Sequence, residues 1–173
     1  MGRSMRWGLV IGVVSEWVAW SVWTGGLIVL VTAVLPAVFN TFGGQDSGGL
    51  FLTRAFEGYN RLVLAAIMVM AAGMGWRAWY ASAPYVVVPT EGVLFAIMVV
   101  IAAVIIFYLH PLAAARQAAA FALKAGEGRK EALEAFFQLH MPVRTLYMVN
   151  LCLGLALAAV RVRTWIIRTE RAL

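Results

Sequence analysis

The stretch "WVAWSVWTGGLIVLVTAVLPAVFNTFGGQ", from Trp17 to Gln45, runs 29 residues without an Asp, Glu, Lys or Arg. A helix rises about 1.5 Å per residue and the hydrocarbon core of a bilayer is about 30 Å thick, so about 20 apolar residues cross it. The stretch is long enough to cross, and Pro36 marks where the chain turns. The first span is therefore expected at residues 7–38.

Working outward, three more uncharged stretches follow. Leu62–Trp76 lies between Arg61 and Arg77, whose long stems can snorkel and extend the span, giving 60–80. Gly92–Leu109 gives a span at 85–110, and Thr145–Val160, between Arg144 and Arg161, gives one at 142–162. The composition agrees: 63% of residues are hydrophobic, 13% are charged and the mean hydropathy is +0.86. That balance excludes an ordinary soluble domain, and the expectation is one transmembrane domain over 1–173.

The net charge of +6 does not point to nucleic acid, because the fourteen Lys and Arg are scattered as helix flanks. They are read as headgroup anchors, which makes membrane lipid the first partner and nucleic acid none. Cys152 is the only cysteine, which leaves no intramolecular disulfide and no cysteine-rich metal site. Glu16 interrupts the apolar run that begins at Trp7, so a retained first helix is expected rather than a cleaved signal.

The connections differ. Pro36–Asn60, rich in glycine, is expected to be a loop re-entering the surface layer, and "ASAPYVVVP", Ala81–Pro89, a tight link. Residues 111–141 are expected to form an extramembrane helical hairpin between the third and fourth spans, turning at "AGEG", Ala125–Gly128. Leu133, Phe136, Phe137 and His140 share one face of it, and Lys130 and Glu134 make a solvated pair on another. Small residues four apart, Ser21 and Gly25, Ala71 and Gly75, Gly92 and Ala96, Gly154 and Ala158, are expected to let the spans pack closely. The fold class is all-α: an integral membrane four-helix bundle with that hairpin.

An even number of spans puts both termini on one side. Seven basic residues fall on each side, and the basic start together with "RVRTWIIRTER" favours cytoplasmic termini in a bacterial inner membrane. The glycine-rich loop and the hairpin then share the opposite face. Asp46, Glu57, Tyr59, Asn60, Arg61, His110, His140, Arg144 and Tyr147 are expected to gather there as a polar mouth.

His140, Arg144 and Tyr147 form a stripe at the start of the fourth span, with His110 across the hairpin. Two histidines suit helix capping, and alternatively metal or haem ligation if Asp46 or Glu57 adds a third ligand. Glu16 reads as interfacial, or as a proton relay if buried, and Asn150 as a bond between helices. Trp17, Trp20 and Trp23 make an aromatic face toward lipid or another subunit. No phosphate loop, nucleophile elbow or zinc-protease helix pair is written in the chain.

The elements "VWTGGLIVLVTAVLPAVFNTFG", "FYLHPLAAARQAA" and "FFQLHMPVRTLYMVNLCLGLAL" resemble the transmembrane protein 205-like family of four-span bundles. Gly25, Gly26 and Pro36 match its first element, Pro111 its second, and Phe136, His140 and Asn150 its last, over about Trp17–Arg161. The chain departs in the loop, where "AFEGYNRL" replaces a Phe-Pro-x-Tyr-Phe-like element. More distant likenesses are copper-resistance D proteins and haem-pathway membrane oxidases, although the first span here has no histidine. The resemblance implies a fold more than an activity, and a link to metal resistance or transport only by analogy.

The expected function is a non-enzymatic accessory or scaffolding subunit of a membrane assembly, or a homo-oligomer, without a cofactor. The alternatives are a metal- or haem-binding protein using His110 and His140, and a small transport protein with Glu16 and Asn150 on its path.

Overall fold

The computed structural model describes residues 3–42, 45–80, 85–123 and 126–170, with the backbone alone at residues 3–6, 45–46 and 127. Every element in them is helical: α1 (Arg3–Val29), a π-helical stretch (Leu30–Val34), α2 (Leu35–Phe42), α3 (Gln45–Tyr80), α4 (Pro89–Ala103), a second π-helical stretch (Val104–Leu109), α5 (His110–Ala122) and α6 (Glu127–Glu170). Joined end to end, these make four long helices, Trp7–Phe42, Ser47–Tyr80, Pro89–Ala122 and Gly128–Glu170, each long and apolar enough to cross a membrane.

Each stretch expected as a span coincides with a long helix, except that residues 85–88 of the third are non-helical; elsewhere the helices outrun the expected bounds. Pro36–Asn60 is not a surface loop: α2 carries the first helix to Phe42, and α3 is helical from Gln45. Among the glycines of this stretch, Gly48 and Gly49 are contact points, while Gly43 and Gly44 lie outside the described residues. Gly48 faces Val38 and Phe39, and a Cβ at Gly49 would stand 2.7 Å from the Gln117 amide nitrogen. Tertiary packing has overridden local propensity there. Pro142 does not start a helix either but lies inside α6, where Thr145 Oγ donates to Met141 O at 3.0 Å. The turn expected at Ala125–Gly128 falls partly outside the described residues. Of the 81–89 link, Tyr85–Val88 is non-helical, and Pro89 opens α4 behind an extended Val88.

Each π-helical stretch ends two residues before a proline, Val34 before Pro36 and Leu109 before Pro111. A proline inside a helix removes one N–H and crowds the carbonyl four residues back, here Thr32 and Phe107. Widening the turn absorbs both effects: Leu35 N–H reaches back to Leu30 O, and His110 N–H to Ile105 O. The wide turns lie on the first and third helices, in the half of the bundle that holds the cavities.

Trp23, Leu27, Tyr59, Val63, Met70, Met98, Ile105 and Leu157 form the centre of the core. The outer face is apolar too, with Val10, Val14, Val18, Met68, Val93, Val100 and Phe107 exposed. The tryptophan face expected to look outward turns in. Trp23 is buried, and Trp20 Nε1 donates to Gly154 O at 2.9 Å. Trp17 sits edge-on to Trp20 and Trp165 at 5.5 and 5.9 Å between centroids.

Close helix packing falls on different small residues from most of those expected. Ser21 and Ala71 are exposed, and Gly25, Gly75 and Gly92 have open space where a Cβ would stand. Gly154 is a true contact, where a Cβ would run into Thr24, while Ala158 one turn on is half-buried. Gly26 against Tyr59 and Gly73 against Glu16 are further contacts, with Cβ approaches of 3.1 Å to Tyr59 and 2.7 Å to Glu16 Oε1, beside Gly49 against Gln117 and Gly8 against Trp76. Within one chain these positions, not the four-apart pairs on the first two helices, bring backbones together.

Candidate functional site

The end of the bundle nearer the termini holds four buried charges, one from each long helix: Glu16, Arg77, Glu91 and Arg161. Arg77 Nε donates to Glu16 Oε1 at 2.8 Å, and Arg77 Nη2 pairs with Glu91 Oε1. Arg161 Nε donates to the same Glu91 oxygen at 2.6 Å. Arg161 Nη2 lies 2.8 Å from Glu16 Oε2, an ion pair by distance whose angle is poor for a hydrogen bond. Each arginine thus bridges both carboxylates, and the formal charges cancel.

This ring corrects the reading of Arg77 and Arg161 as headgroup anchors, since both are at most 1% exposed. Glu16 is buried and paired with both arginines, and Glu91 was missed. A guanidinium suits the position because its fork presents fixed donors in two directions. Gly73 makes room for the Glu16 side chain. Arg77 Nη1 also donates to Tyr85 O at 3.1 Å, and Arg168 Nη1 to Val86 O at 3.1 Å, so the short link is held against the ring.

Polar groups continue along the axis. On α1 the order is Glu16, Thr24 and Leu27, then Val31 in the π-helical stretch; on α6 it reverses, Arg161, Gly154, Asn150, Tyr147 and His140. Glu16 and Val31 are about 22 Å apart at a helical rise of about 1.5 Å per residue. Midway, Tyr59 OH donates to Trp23 O at 2.7 Å, Tyr147 OH to Asn60 Oδ1 at 2.8 Å and Asn150 Nδ2 to Met98 O at 3.2 Å. Asn150 does tie α6 to α4.

At the far end a cavity of about 410 Å³ opens between the helices. Its walls are apolar, among them Leu27, Val31, Leu35, Leu52, Phe56, Phe121 and Met148, together with the face Leu133, Phe136, Phe137 and His140. Polar groups enter it at His110, His140, Arg144 and Tyr147, and at Thr53 and Gln117, whose side chains are hydrogen-bonded to each other. Phe136 stacks against His140 with centroids 5.4 Å apart. A volume in the range of ordinary small-molecule sites, mostly apolar with a few convergent polar groups, can hold an amphipathic molecule.

The expected polar mouth separates into three places. His110, His140, Arg144 and Tyr147 line this cavity, while Tyr59 and Asn60 are buried deeper. Glu57 and Arg61 stay on the outer surface, where Glu57 pairs with Arg61 at 2.7 Å and Arg54 at 3.2 Å. Asp46 stands in the first turn of α3, and its side chain is outside the described residues. Among the described residues no group of three or more His, Cys, Asp and Glu is placed to hold a metal, so His110 and His140 gain no third ligand there.

Gln117 and Thr53 were missed because each looks like an unremarkable polar residue in a helix. Glu91 left a weak signal, a carboxylate in the first turn of an apolar span at the depth of Glu16. No protein-family model, curated protein or solved structure matches this chain.

Proposed function

We propose that this chain is an integral membrane protein of four spans that binds an amphipathic molecule of lipid class in the cavity lined by His110 and His140, and does so as a non-enzymatic subunit of a membrane assembly. The observation that carries the reading is the cavity itself: about 410 Å³, walled by aliphatic and aromatic side chains and bordered by His110, His140 and the exposed Arg144. Apolar walls take a hydrocarbon body. The imidazoles, the guanidinium and the Thr53–Gln117 pair offer hydrogen bonds and a positive charge to a polar or anionic head.

A binding role rather than a catalytic one is supported by how the ionisable groups are used. The four buried charges are engaged with one another at the opposite end of the bundle, far from the cavity. In this reading the start of α6 and α5 form the extramembrane hairpin, the termini are cytoplasmic and the membrane is a bacterial inner membrane. The resemblance to the transmembrane protein 205-like family belongs with it as a proposal about ancestry.

The test is a cavity-filling substitution. Ala114 lines the cavity and Ala115 beside it is exposed. Binding of a fluorescent fatty acid to the purified protein should weaken at least tenfold in Ala114→Trp and hold in Ala115→Trp. Equal binding by all three proteins would refute the cavity as the site.

A further inference from the structure

Between the charge ring and the large cavity lies a second, small space of about 10 Å³, lined by Thr24, Tyr59, Asn60, Tyr147 and Asn150 among apolar neighbours. Two buried polar atoms in this lining have no partner: Asn60 Nδ2, a donor, and Asn150 Oδ1, an acceptor. Both residues are 4% exposed. Every other polar group around the space is in use. Asn60 Oδ1 accepts from Tyr147, Asn150 Nδ2 donates to Met98 O, Thr24 donates to Trp20 O and Tyr59 to Trp23 O.

An unpaired buried donor or acceptor keeps the full cost of its desolvation. Neither atom has appreciable surface open to solvent. Two such atoms on residues that line one small space call for an occupant that accepts from one and donates to the other. A bare cation would satisfy Asn150 Oδ1 and repel the Asn60 amide hydrogens. An anion would do the reverse. A molecule that both donates and accepts fits, and a space near one solvent probe in volume limits it to one small molecule.

We propose that a single water molecule is bound there, bridging Asn60 Nδ2 and Asn150 Oδ1 between the second and fourth long helices. The hydroxyl oxygens of Thr24 and Tyr59, which donate elsewhere, keep acceptor capacity for the water's second hydrogen. The water makes Asn150 a two-sided link, to Met98 O directly and to Asn60 through the bridge. Because Tyr147 lines both this space and the large cavity, the Asn60–Tyr147 bond connects the hydrated site to the ligand pocket without opening a channel.

The chain has three asparagines, Asn40, Asn60 and Asn150, so selective ¹⁵N labelling gives few side-chain amide signals. In the full-length protein in nanodiscs, the Asn60 amide hydrogens, assigned by their loss in Asn60→Ala, should show a through-space cross-peak at the water frequency. Asn150→Leu, which fills the space and removes the acceptor, should abolish that cross-peak while the Asn60 signals persist. Absence of the water cross-peak in the unsubstituted protein would overturn the bridge. So would its persistence, undiminished, in Asn150→Leu. The first of these measurements needs no variant near the water to fold beyond the one used for assignment, and isosteric Asn60→Asp supplies that assignment if Asn60→Ala does not fold.

Discussion

Glu91 sits one turn into an apolar helix, 2% exposed, with two guanidiniums on one of its oxygens. Taking two charges out of water is repaid only when their partners stay, so the ring is most sensitive to removing one member. Glu91→Gln should destabilise the protein by about 3–5 kcal/mol, read as a lowered midpoint of unfolding in mixed micelles. Glu57→Gln, which touches only the surface pair with Arg54 and Arg61, should leave the midpoint where it is. Removing a neutral pair together, Glu91→Leu with Arg161→Met, should cost less than the two single changes summed, because no lone charge remains buried. A double-mutant cycle that added up simply would mean the charges act independently. Arg77 and Arg161 could not be told from lipid-facing anchors in the sequence. An arginine at the edge of an apolar stretch has a stem long enough to reach the headgroups, and the same stem reaches a carboxylate on the next helix.

At the scale of the helices, apolar length was legible and its limits were not. Every uncharged stretch read as the centre of a span lies within a long helix that is apolar enough to cross a bilayer. The helix ends were misread where glycine and proline were taken as punctuation. Gly48 and Gly49 are kept helical by packing against Val38, Phe39 and Gln117, and Pro36 and Pro111 are absorbed by π-helical turns. Spacing alone also misplaced the helix contacts, since a four-residue repeat of small residues exists on every face of a glycine-rich helix. The structure therefore separates glycines by consequence. Gly154→Val should destabilise by about 1–3 kcal/mol by overpacking against Thr24 and displacing the Trp20 bond. Gly75→Ala, with open space at its Cβ, should be neutral or slightly stabilising in the monomer. Thermal unfolding of the two variants side by side checks the assignment, and equal losses would contradict it.

Across the whole molecule, polarity is graded along the axis: a neutral ring of four charges at one end, hydrogen-bonded tyrosines and asparagines in the middle, and an apolar-walled cavity at the other. The ring joins all four long helices by charges that satisfy one another, which fixes their order around the bundle at one end. That leaves the other end free to splay around the cavity. The candidate site was half legible for the same reason: the His140, Arg144 and Tyr147 stripe could be read from helical spacing, whereas Thr53, Gln117 and the enclosing aromatic walls meet only when the helices do. The measurement that tests the central claim most directly is native mass spectrometry of the intact protein released from its own membrane. The expected result is a population heavier than the bare chain by the mass of one lipid-class molecule, lost in Ala114→Trp and kept in Ala115→Trp. A protein that flies at its bare mass under conditions that preserve its fold, or one whose adduct survives Ala114→Trp unchanged, would contradict the account.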